Sequence, residues 1–465
     1  MTSFTNTPFD RIEVGHVETV SRTLSRNDIE ALAFVSGDLD PYHVDDADLP
    51  AAGTWTEAVA AEAFISYILN RRYPGPGTRV VAVDLKFNGR LTVGDTVTAT
   101  LTVRDKRADG GIVTFDCRCT QQNGEVIAAG TAAAAAPTRL MTYGDLATPE
   151  VIFRRTDAFA RLIRSCESFP PVTCAVVHPC DRDSLLGPLE AARRKLIIPV
   201  LVGPEARIRK VAAESGADLS GVRIVPTAHS EEAAVTAVAL ARAGEVRALM
   251  KGSLHTDELM GAVVSSAAGL RTARRISHAF VLDVPTYPRM LIVTDAAINI
   301  APNLKAKADI VQSAIELAQV LGVERPKVAI LSAVETVNAD IPSTLDAAAL
   351  CKMADRGQIV GGILDGPLAF DNAISAAAAK IKKIDSPVSG EADILVAPDL
   401  EAGNMLAKQL QYLSGAESAG IVLGARVPIV LTSRADSVRT RLASTAVMAM
   451  VAHARDTAGA PALPR

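Results

Sequence analysis

The feature that most constrains the fold is a change of hydrophobic pattern along the chain. In the first part, apolar and polar residues alternate at a period of two, as in residues 97–103 and 113–120, which indicates antiparallel strands with one buried face. In the second part, short uninterrupted apolar runs alternate with stretches rich in Ala and Leu, which predicts strands alternating with helices. The sequence therefore predicts two domains of different fold, residues 1–142 and 151–465, joined by a linker at 143–150.

The first domain is predicted to have an α+β fold of the hotdog type. A helix predicted over residues 57–70 carries apolar side chains on almost every side, so other elements have to cover all of its faces. A strongly curved antiparallel sheet folded around one central helix meets that requirement. Cys117 and Cys119 alternate with polar residues, so both thiols are predicted on the buried face of a strand.

The second domain is predicted to be α/β, with two lobes that have mostly parallel sheets and helices on both faces. A stretch of about three hundred residues usually exceeds a single core, which favours two lobes. The net charge of −4 gives no reason to expect nucleic acid or a membrane surface as a partner. Because the chain has neither a long apolar run nor a signal-peptide pattern, the cytoplasm is the predicted location. The six cysteines have no Cys-x-x-Cys pair or metal-ligand spacing, so no disulfide framework or metal site is predicted.

One strand of the second domain ends in a group of reactive side chains. Residues 428–437 read Pro-Ile-Val-Leu-Thr-Ser-Arg-Ala-Asp-Ser, an apolar run that stops at Ser433, Arg434 and Asp436. Ligands of open α/β sheets bind where strands end at their carboxyl termini. An arginine there suits a phosphate because its guanidinium can donate two parallel hydrogen bonds. The sequence therefore predicts a site that holds a phosphate beside a reacting group.

Two other segments, residues 365–371 and 398–408, also follow apolar runs. The second of them has a glycine, an asparagine and a lysine at helical spacing, which can form a helix start that faces an anion. A basic cluster at residues 271–275 either binds phosphate groups or forms a solvated face. The candidate substrate-binding residues in these segments are Arg271, Arg274, Ser277, Gly403, Asn404 and Lys408.

Taken together, residues 155–460 resemble the phosphate acetyl/butyryltransferase family, and their details look closer to its butyryl branch. The resemblance implies a two-lobed enzyme, with its active site in the cleft between the lobes, that exchanges CoA and orthophosphate on an acyl group. Acyl-CoA and phosphate would give acyl phosphate and CoA by direct attack in a ternary complex, with no bound cofactor or metal and with CoA as a substrate. Arg434 would bind the phosphate, and Ser433 would position the thiol or stabilise the tetrahedral state. The family also implies a homo-oligomer.

The sequence departs from the family's acetyl branch at the expected proton acceptor. That branch usually has a carboxylate seven residues after the serine, whereas this chain has Thr440 there. Asp436 is the nearest acid, three residues after Ser433. The general base and the preferred acyl chain length are therefore left open.

Residues 33–45 contain Asp38 and His43 and resemble the signature of MaoC-like, R-specific enoyl-CoA hydratases. In that family the corresponding Asp and His hold and activate the water that adds to the enoyl thioester, and such a pair is a tunable acid and base near neutral pH. The chain departs from the family at residues 56–59, where Glu57 places a carboxylate beside a developing oxyanion. Asp40 also replaces a usual asparagine.

Three interpretations of the whole chain follow. The first is a bifunctional enoyl-CoA hydratase and phosphate acyltransferase. The second treats the hotdog domain as a non-catalytic module for acyl-CoA binding or dimerisation that regulates the transferase. The third places the C-terminal part among the two-lobed dehydrogenases of similar architecture, although their metal-binding acids have no convincing match in this sequence.

Overall fold

The structure is a computed structural model that describes residues 3–37, 55–57, 60–144, 158–433 and 436–457. The chain divides into two compact units, Met1–Phe153 and Arg154–Arg465. Most of the predicted linker lies outside the described residues, so the exact domain bounds stay a prediction. Among the described residues, no helix combines the length and apolar character needed to cross a bilayer.

The N-terminal unit is built mainly from antiparallel strands. Its strands are β1 (Ser3–Thr5), β2 (Val17–Thr23), β3 (Trp55–Glu57), β4 (Arg79–Phe87), β5 (Arg90–Thr92), β6 (Thr96–Arg107), β7 (Ile112–Gln121), β8 (Val126–Ala135) and β9 (Thr142–Gly144). Its α-helices are α1 (Arg26–Ser36) and α2 (Ala61–Tyr67), and α2 continues as a π-helix over Ile68–Arg72. The main sheet has the order β2-β6-β7-β8-β4, with every pairing antiparallel.

The main sheet packs against α2, which confirms the predicted hotdog class. Alternate residues of β6 and β7 are buried, and they join the apolar face of α2 in one core. Cys117 and Cys119 lie on this buried face, as predicted. Burial raises the pKa of the Cys117 thiol to about 12 and that of Cys119 to about 11.

The prediction for the central helix was wrong in two respects. The helix begins at Ala61, because Glu57 ends strand β3, where its backbone pairs with Arg90 of β5. Long-range strand pairing here overrides the local helical pattern. The helix also has an exposed side that includes Ser66 and Tyr67, so its apolar residues do not need cover on every face.

The C-terminal unit alternates helices and strands along its whole length. Its helices are α3 (Ala158–Ser165), α4 (Arg182–Arg193), α5 (Glu205–Ser215), α6 (Ser230–Arg242), α7 (Thr256–Val264), α8 (Leu304–Val320), α9 (Pro342–Asp355), α10 (Phe370–Ile374), α11 (Ala376–Ile381), α12 (Leu400–Tyr412) and α13 (Val438–Thr457). Its strands are β10 (Val172–Val177), β11 (Ile197–Gly203), β12 (Arg223–Pro226), β13 (Ala248–Lys251), β14 (Ser277–Asp283), β15 (Met290–Thr294), β16 (Lys327–Leu331), β17 (Ile363–Leu368), β18 (Ile394–Val396), β19 (Glu417–Leu423) and β20 (Ile429–Val430).

These strands form one sheet in the order β12-β11-β10-β13-β20-β19-β14-β15-β18-β16-β17. The first five strands are parallel, the last four are parallel, and three antiparallel pairings join the two blocks. Alternate residues of β10 enter two different cores, Cys174 and Val176 in one and Ala175 and Val177 in the other, so helices cover both faces. The predicted α/β class is confirmed, and the structure adds that the two halves share a single sheet.

Candidate active site

Ser433 lies in a loop between a buried strand and the last helix. We call residues 431–433 and 436–437 the serine loop. Leu431 and Thr432 are buried, whereas Ser433 is exposed. The Ser433 backbone N–H donates to Asp436 Oδ2 over 2.6 Å, which ties the two residues together. Arg434, the predicted phosphate ligand, lies outside the described residues.

A buried arginine donates hydrogen bonds to the serine loop. Arg441 of α13 is only 1% exposed. Its guanidinium donates to Thr432 Oγ1 over 2.8 Å, to the Ser433 carbonyl over 3.1 Å and to the Lys251 carbonyl over 3.3 Å. Gly187 of α4 leaves room for this side chain, since a Cβ there would lie 2.9 Å from Arg441 Cδ. Arg441 therefore connects the ends of β13 and β20.

Acidic residues surround this arginine. Burial lowers the pKa of Arg441, while the negative charges of Asp181, Asp183 and Asp436 act in the opposite direction. Burial alone would raise the pKa of Asp181, but hydrogen bonds from Ser184 and other neighbours lower it overall. Burial raises the pKa of Asp436, against the opposing effects of the Ser433 N–H and three nearby cations. The charge of Arg441 lowers the pKa of both acids, and their net shifts differ because hydrogen bonds outweigh burial at Asp181 whereas burial dominates at Asp436.

The carboxyl ends of three parallel strands meet beside the serine loop. Lys251, at the end of β13, is 3% exposed and donates from Nζ to the Thr432 carbonyl over 3.4 Å. A Cβ on Gly252 would lie 2.4 Å from the carbonyl oxygen of Val177, so the ends of β13 and β10 approach closely. His178, after β10, places Nδ1 3.1 Å from the Ser253 carbonyl oxygen. Open α/β sheets bind their ligands at these carboxyl ends of the strands.

Sequence reasoning missed four residues of this edge as site candidates: His178, Asp181, Lys251 and Arg441. The first three end or follow apolar strand runs, as Ser433 does, so the same signal could have identified them. Arg441 gives no such signal, because an arginine within a helix usually faces solvent. Only the packing of α13 against α4 explains its burial.

A cavity of about 310 Å³ opens beside the serine loop. Asp436, Ser437 and Thr440 form one side of it, and residues from α12 and the start of β19 form the other. Thr440, at the position where the acetyl branch usually has an acid, lies with its backbone N 3.3 Å from Ser437 Oγ. Asp436, the acid nearest to Ser433, and Thr440 therefore line the same cavity.

A second group of predicted site residues gathers around the loop after β15. We call residues 295–299 the aspartate loop. Asp295 is 3% exposed and accepts hydrogen bonds from the backbone N–H groups of Ala297, Ile298 and Asn299 and from Asn299 Nδ2. Because its carboxylate is saturated by these donors, Asp295 stabilises the loop itself.

Gly403 and Asn404 of α12 pack against this second loop. A Cβ on Gly403 would lie 2.3 Å from the Asp295 carbonyl oxygen, so only glycine permits this approach. Asn404 Nδ2 donates to the Ala296 carbonyl over 2.9 Å. The two residues predicted to bind substrate thus make structural contacts here.

The four remaining candidate substrate-binding residues have different surroundings. Ser277 has a buried Oγ without a hydrogen-bond partner among the described residues, and Arg274 forms an ion pair of 2.5 Å with Glu316. Arg271 is exposed. Lys408 is exposed on α12, and its charge acts on Asp436. Of these four, only Lys408 has a charge that lowers the pKa of a serine-loop residue, Asp436.

The register of the sheet explains this separation. Val430 lies beside Ile421, Ile421 beside Ala279, and Ala279 beside Thr294, all at one level across four strands. Each of the three pairings is antiparallel, so β20 and β15 run in opposite directions. The serine loop and the aspartate loop therefore leave the sheet at opposite ends of the strands.

Comparison with known proteins identifies the larger part of the chain. The family model described as Phosphate acetyl/butaryl transferase matches residues 228–449. A phosphate acetyltransferase of Rhizobium meliloti is 63% identical over 300 residues, which cover 64% of this chain and 95% of that protein. The chain belongs to the phosphate acetyl/butyryltransferase family. This confirms the resemblance seen in the sequence and rules out the dehydrogenase interpretation.

Other similar proteins are named for different acyl groups. A phosphate butyryltransferase of Clostridium acetobutylicum is 39% identical over 295 residues, covering 63% of this chain and 98% of that protein. The crystal structure of a branched-chain phosphotransacylase from Enterococcus faecalis matches with a TM-score of 0.54 at 29% identity, covering 61% of this chain and 99% of that one. The identity is higher to the acetyl enzyme than to the butyryl enzyme, so the comparison does not support the closer resemblance to the butyryl branch that was predicted from the sequence.

The N-terminal unit has a separate relationship. The family model described as FAS1-like, dehydratase domain region matches residues 13–129. This confirms a hydratase-like domain fused to a member of the transferase family. Asp38, Asp40 and His43 lie outside the described residues, as does Ala58, so their predicted arrangement stays a prediction.

Proposed function

We propose that this chain transfers a short-chain acyl group between CoA and orthophosphate: acyl-CoA and phosphate give acyl phosphate and CoA. The observation that carries the proposal is the exposed Ser433 at the end of a buried strand, held by Arg441 beside Lys251. Cationic side chains at this edge suit the anionic phosphate. The activities for which the relatives are named support acetyl, butyryl or branched acyl groups as the group transferred.

In this proposal Arg434 binds the phosphate and Ser433 positions the thiol or stabilises the tetrahedral intermediate. Ser433 can donate its hydroxyl to the developing oxyanion, which is the usual way such charge is stabilised. Lys408 is the member of the predicted binding set with the strongest structural support, because it lies near Asp436. Arg271, Arg274, Ser277, Gly403 and Asn404 remain proposed contributors to the substrate site.

Direct attack in a ternary complex is favoured over an acyl-enzyme. A thiolate is the reactive form of cysteine, and burial raises the pKa of every cysteine in the chain. None of them is therefore activated as a nucleophile. Acyl-CoA, CoA, phosphate and acyl phosphate are the proposed partners, with CoA as a substrate rather than a bound cofactor. A homo-oligomer and a cytoplasmic location also belong to the proposal.

The test is phosphate-dependent release of free thiol from acetyl-, propionyl- and butyryl-CoA. Parent protein should release thiol only with phosphate, and the three rates would rank the acyl chains. Ser433→Ala and Arg434→Ala should each lose most of the rate while keeping the parent melting temperature. A folded parent without phosphate-dependent release would refute the proposal.

We also propose that the N-terminal unit hydrates enoyl-CoA, because the matched family region is a dehydratase region. Asp38 and His43 would hold and activate the water. Loss of enoyl absorbance with crotonyl-CoA that disappears in His43→Ala would support this activity. No loss in the parent would favour the alternative, a non-catalytic module for acyl-CoA binding or dimerisation.

A further inference from the structure

We propose that Asp436 accepts the proton of the CoA thiol in the transferase reaction. This inference rests on the proposed transferase function and deepens it. The position seven residues after Ser433 is Thr440, and a threonine hydroxyl does not act as a base near neutral pH. Another group must therefore take the proton when acyl-CoA is made.

The geometry places Asp436 beside the residue that would hold the thiol. Its Oδ2 accepts the Ser433 N–H over 2.6 Å, so the carboxylate is held beside the Ser433 backbone. Asp436 also lines the cavity of about 310 Å³ that opens beside the serine loop. A ligand in that cavity can reach the carboxylate without any rearrangement of the buried core.

The charges around Asp436 come from three different elements. Lys251 approaches from β13, Lys408 from α12 and Arg441 from α13, and all three favour the ionised carboxylate. The cavity also contains the ion pair between Glu417 and Arg439, at 2.7 Å. Burial opposes the cations and makes the carboxylate more basic than an exposed one. A partly buried, ionised carboxylate at a cavity is a suitable general base.

The proposed step conserves atoms and charge. When CoA attacks an acyl phosphate, the S–H bond breaks and its proton passes to the Asp436 carboxylate. The sulfur forms a bond to the carbonyl carbon, and the bond from that carbon to the phosphate oxygen then breaks. The Asp436 carboxylic acid passes its proton to the departing phosphate, which leaves as hydrogen phosphate, and the carboxylate is restored. In the reverse direction, the Asp436 carboxylate takes the proton of the hydrogen phosphate that attacks the thioester, and the Asp436 carboxylic acid then gives that proton to the departing thiolate.

The test compares Asp436→Asn with Thr440→Ala, which alters the same cavity without removing a carboxylate. Rates of acyl-CoA formation from acetyl phosphate and CoA would be measured from about pH 6.5 to about pH 9.5. Asp436→Asn should lower kcat by about 10²- to 10³-fold near neutral pH, the usual contribution of a general base. The loss should shrink as pH passes the thiol pKa of about 8.5, because thiolate then forms in solution. Thr440→Ala should keep the shape of the parent pH profile, whatever its absolute rate, because it removes no carboxylate.

Asp436→Glu guards against a loss of structure, since it keeps a carboxylate and should retain the parent pH dependence at a lower rate. A loss in Asp436→Asn that is equal at every pH would overturn the inference and leave Asp436 as a support for Ser433. Parent activity with an unaffected Asp436→Asn would overturn it as well. A parent without phosphate-dependent activity would instead refute the proposed function itself.

Discussion

The aspartate loop and the serine loop each contain an aspartate after a strand, but the two acids have different surroundings. Asp295 is buried and accepts four hydrogen bonds from its own loop. Asp436 is partly exposed, accepts the Ser433 N–H and lines a cavity among cations. The difference teaches that a saturated buried acid stabilises a fold, whereas an acid with access to a cavity can take part in chemistry.

The largest effect is expected from removing Asp295, whose carboxylate is saturated with hydrogen bonds. Asp295→Ala would leave three backbone N–H groups of the aspartate loop, one buried and two partly buried, without this acceptor, so the free energy of unfolding should fall by about 3 kcal/mol or more. Urea denaturation followed by circular dichroism would measure it, with Asp340→Ala at an exposed site as the control. A variant of parent stability with no transferase activity would reverse the roles assigned to the two acids.

The next test removes the support of the serine loop. Arg441→Met would remove hydrogen bonds to Thr432, Ser433 and Lys251 and leave acceptors buried, which should cost about 2–4 kcal/mol of unfolding free energy. The transferase rate should fall more than stability explains, because the Ser433 loop loses its position. Arg182→Met on α4, with 71% of its arginine side chain exposed, should change stability by less than about 1 kcal/mol. Parent activity in Arg441→Met would show that Ser433 is positioned without it.

A smaller effect should come from crowding the same arginine. Gly187→Ala would place a Cβ 2.9 Å from Arg441 Cδ, and such overpacking typically costs about 1–3 kcal/mol. The matched control is Gly261→Ala in α7, where a Cβ would meet nothing within 4 Å. The control should gain about 0.5–1 kcal/mol, as alanine does in a helix. Equal melting temperatures for the two variants would contradict the tight packing of α4 on Arg441.

The smallest effect concerns the pH dependence of stability. Because burial raises the folded-state pKa of Asp436, the folded protein binds more protons than the unfolded chain just above the ordinary pKa of about 3.9. Stability contributed by this group is therefore present at low pH and lost as pH rises through the folded pKa. Asp436→Asn should remove that dependence. The unfolding free energy of the parent minus that of the variant should therefore decrease from about pH 4 to about pH 7. A difference that does not change with pH would mean that Asp436 does not titrate in this window.

Much of the candidate site could be predicted because local sequence carries its signal. The apolar run before Ser433 marks a strand end, and the period of two around Cys117 marks a buried face. Arg441 could not be predicted, since its burial depends on Gly187, more than two hundred and fifty residues earlier in the sequence. The start of the central helix at Ala61 was missed because it also depends on a distant segment. Glu57 belongs to β3, which pairs with β5.

The sequence by itself determined the two fold classes, the family and the strand end that presents Ser433. These features follow from periodicity and from short motifs, which are properties of neighbouring residues. Only the tertiary structure decided that the serine and aspartate loops leave the sheet in opposite directions and that Lys251, Arg441 and Asp436 meet beside Ser433. The direction and register of strands are fixed by hydrogen bonds between distant segments, and no local pattern specifies which distant segment a strand will pair with.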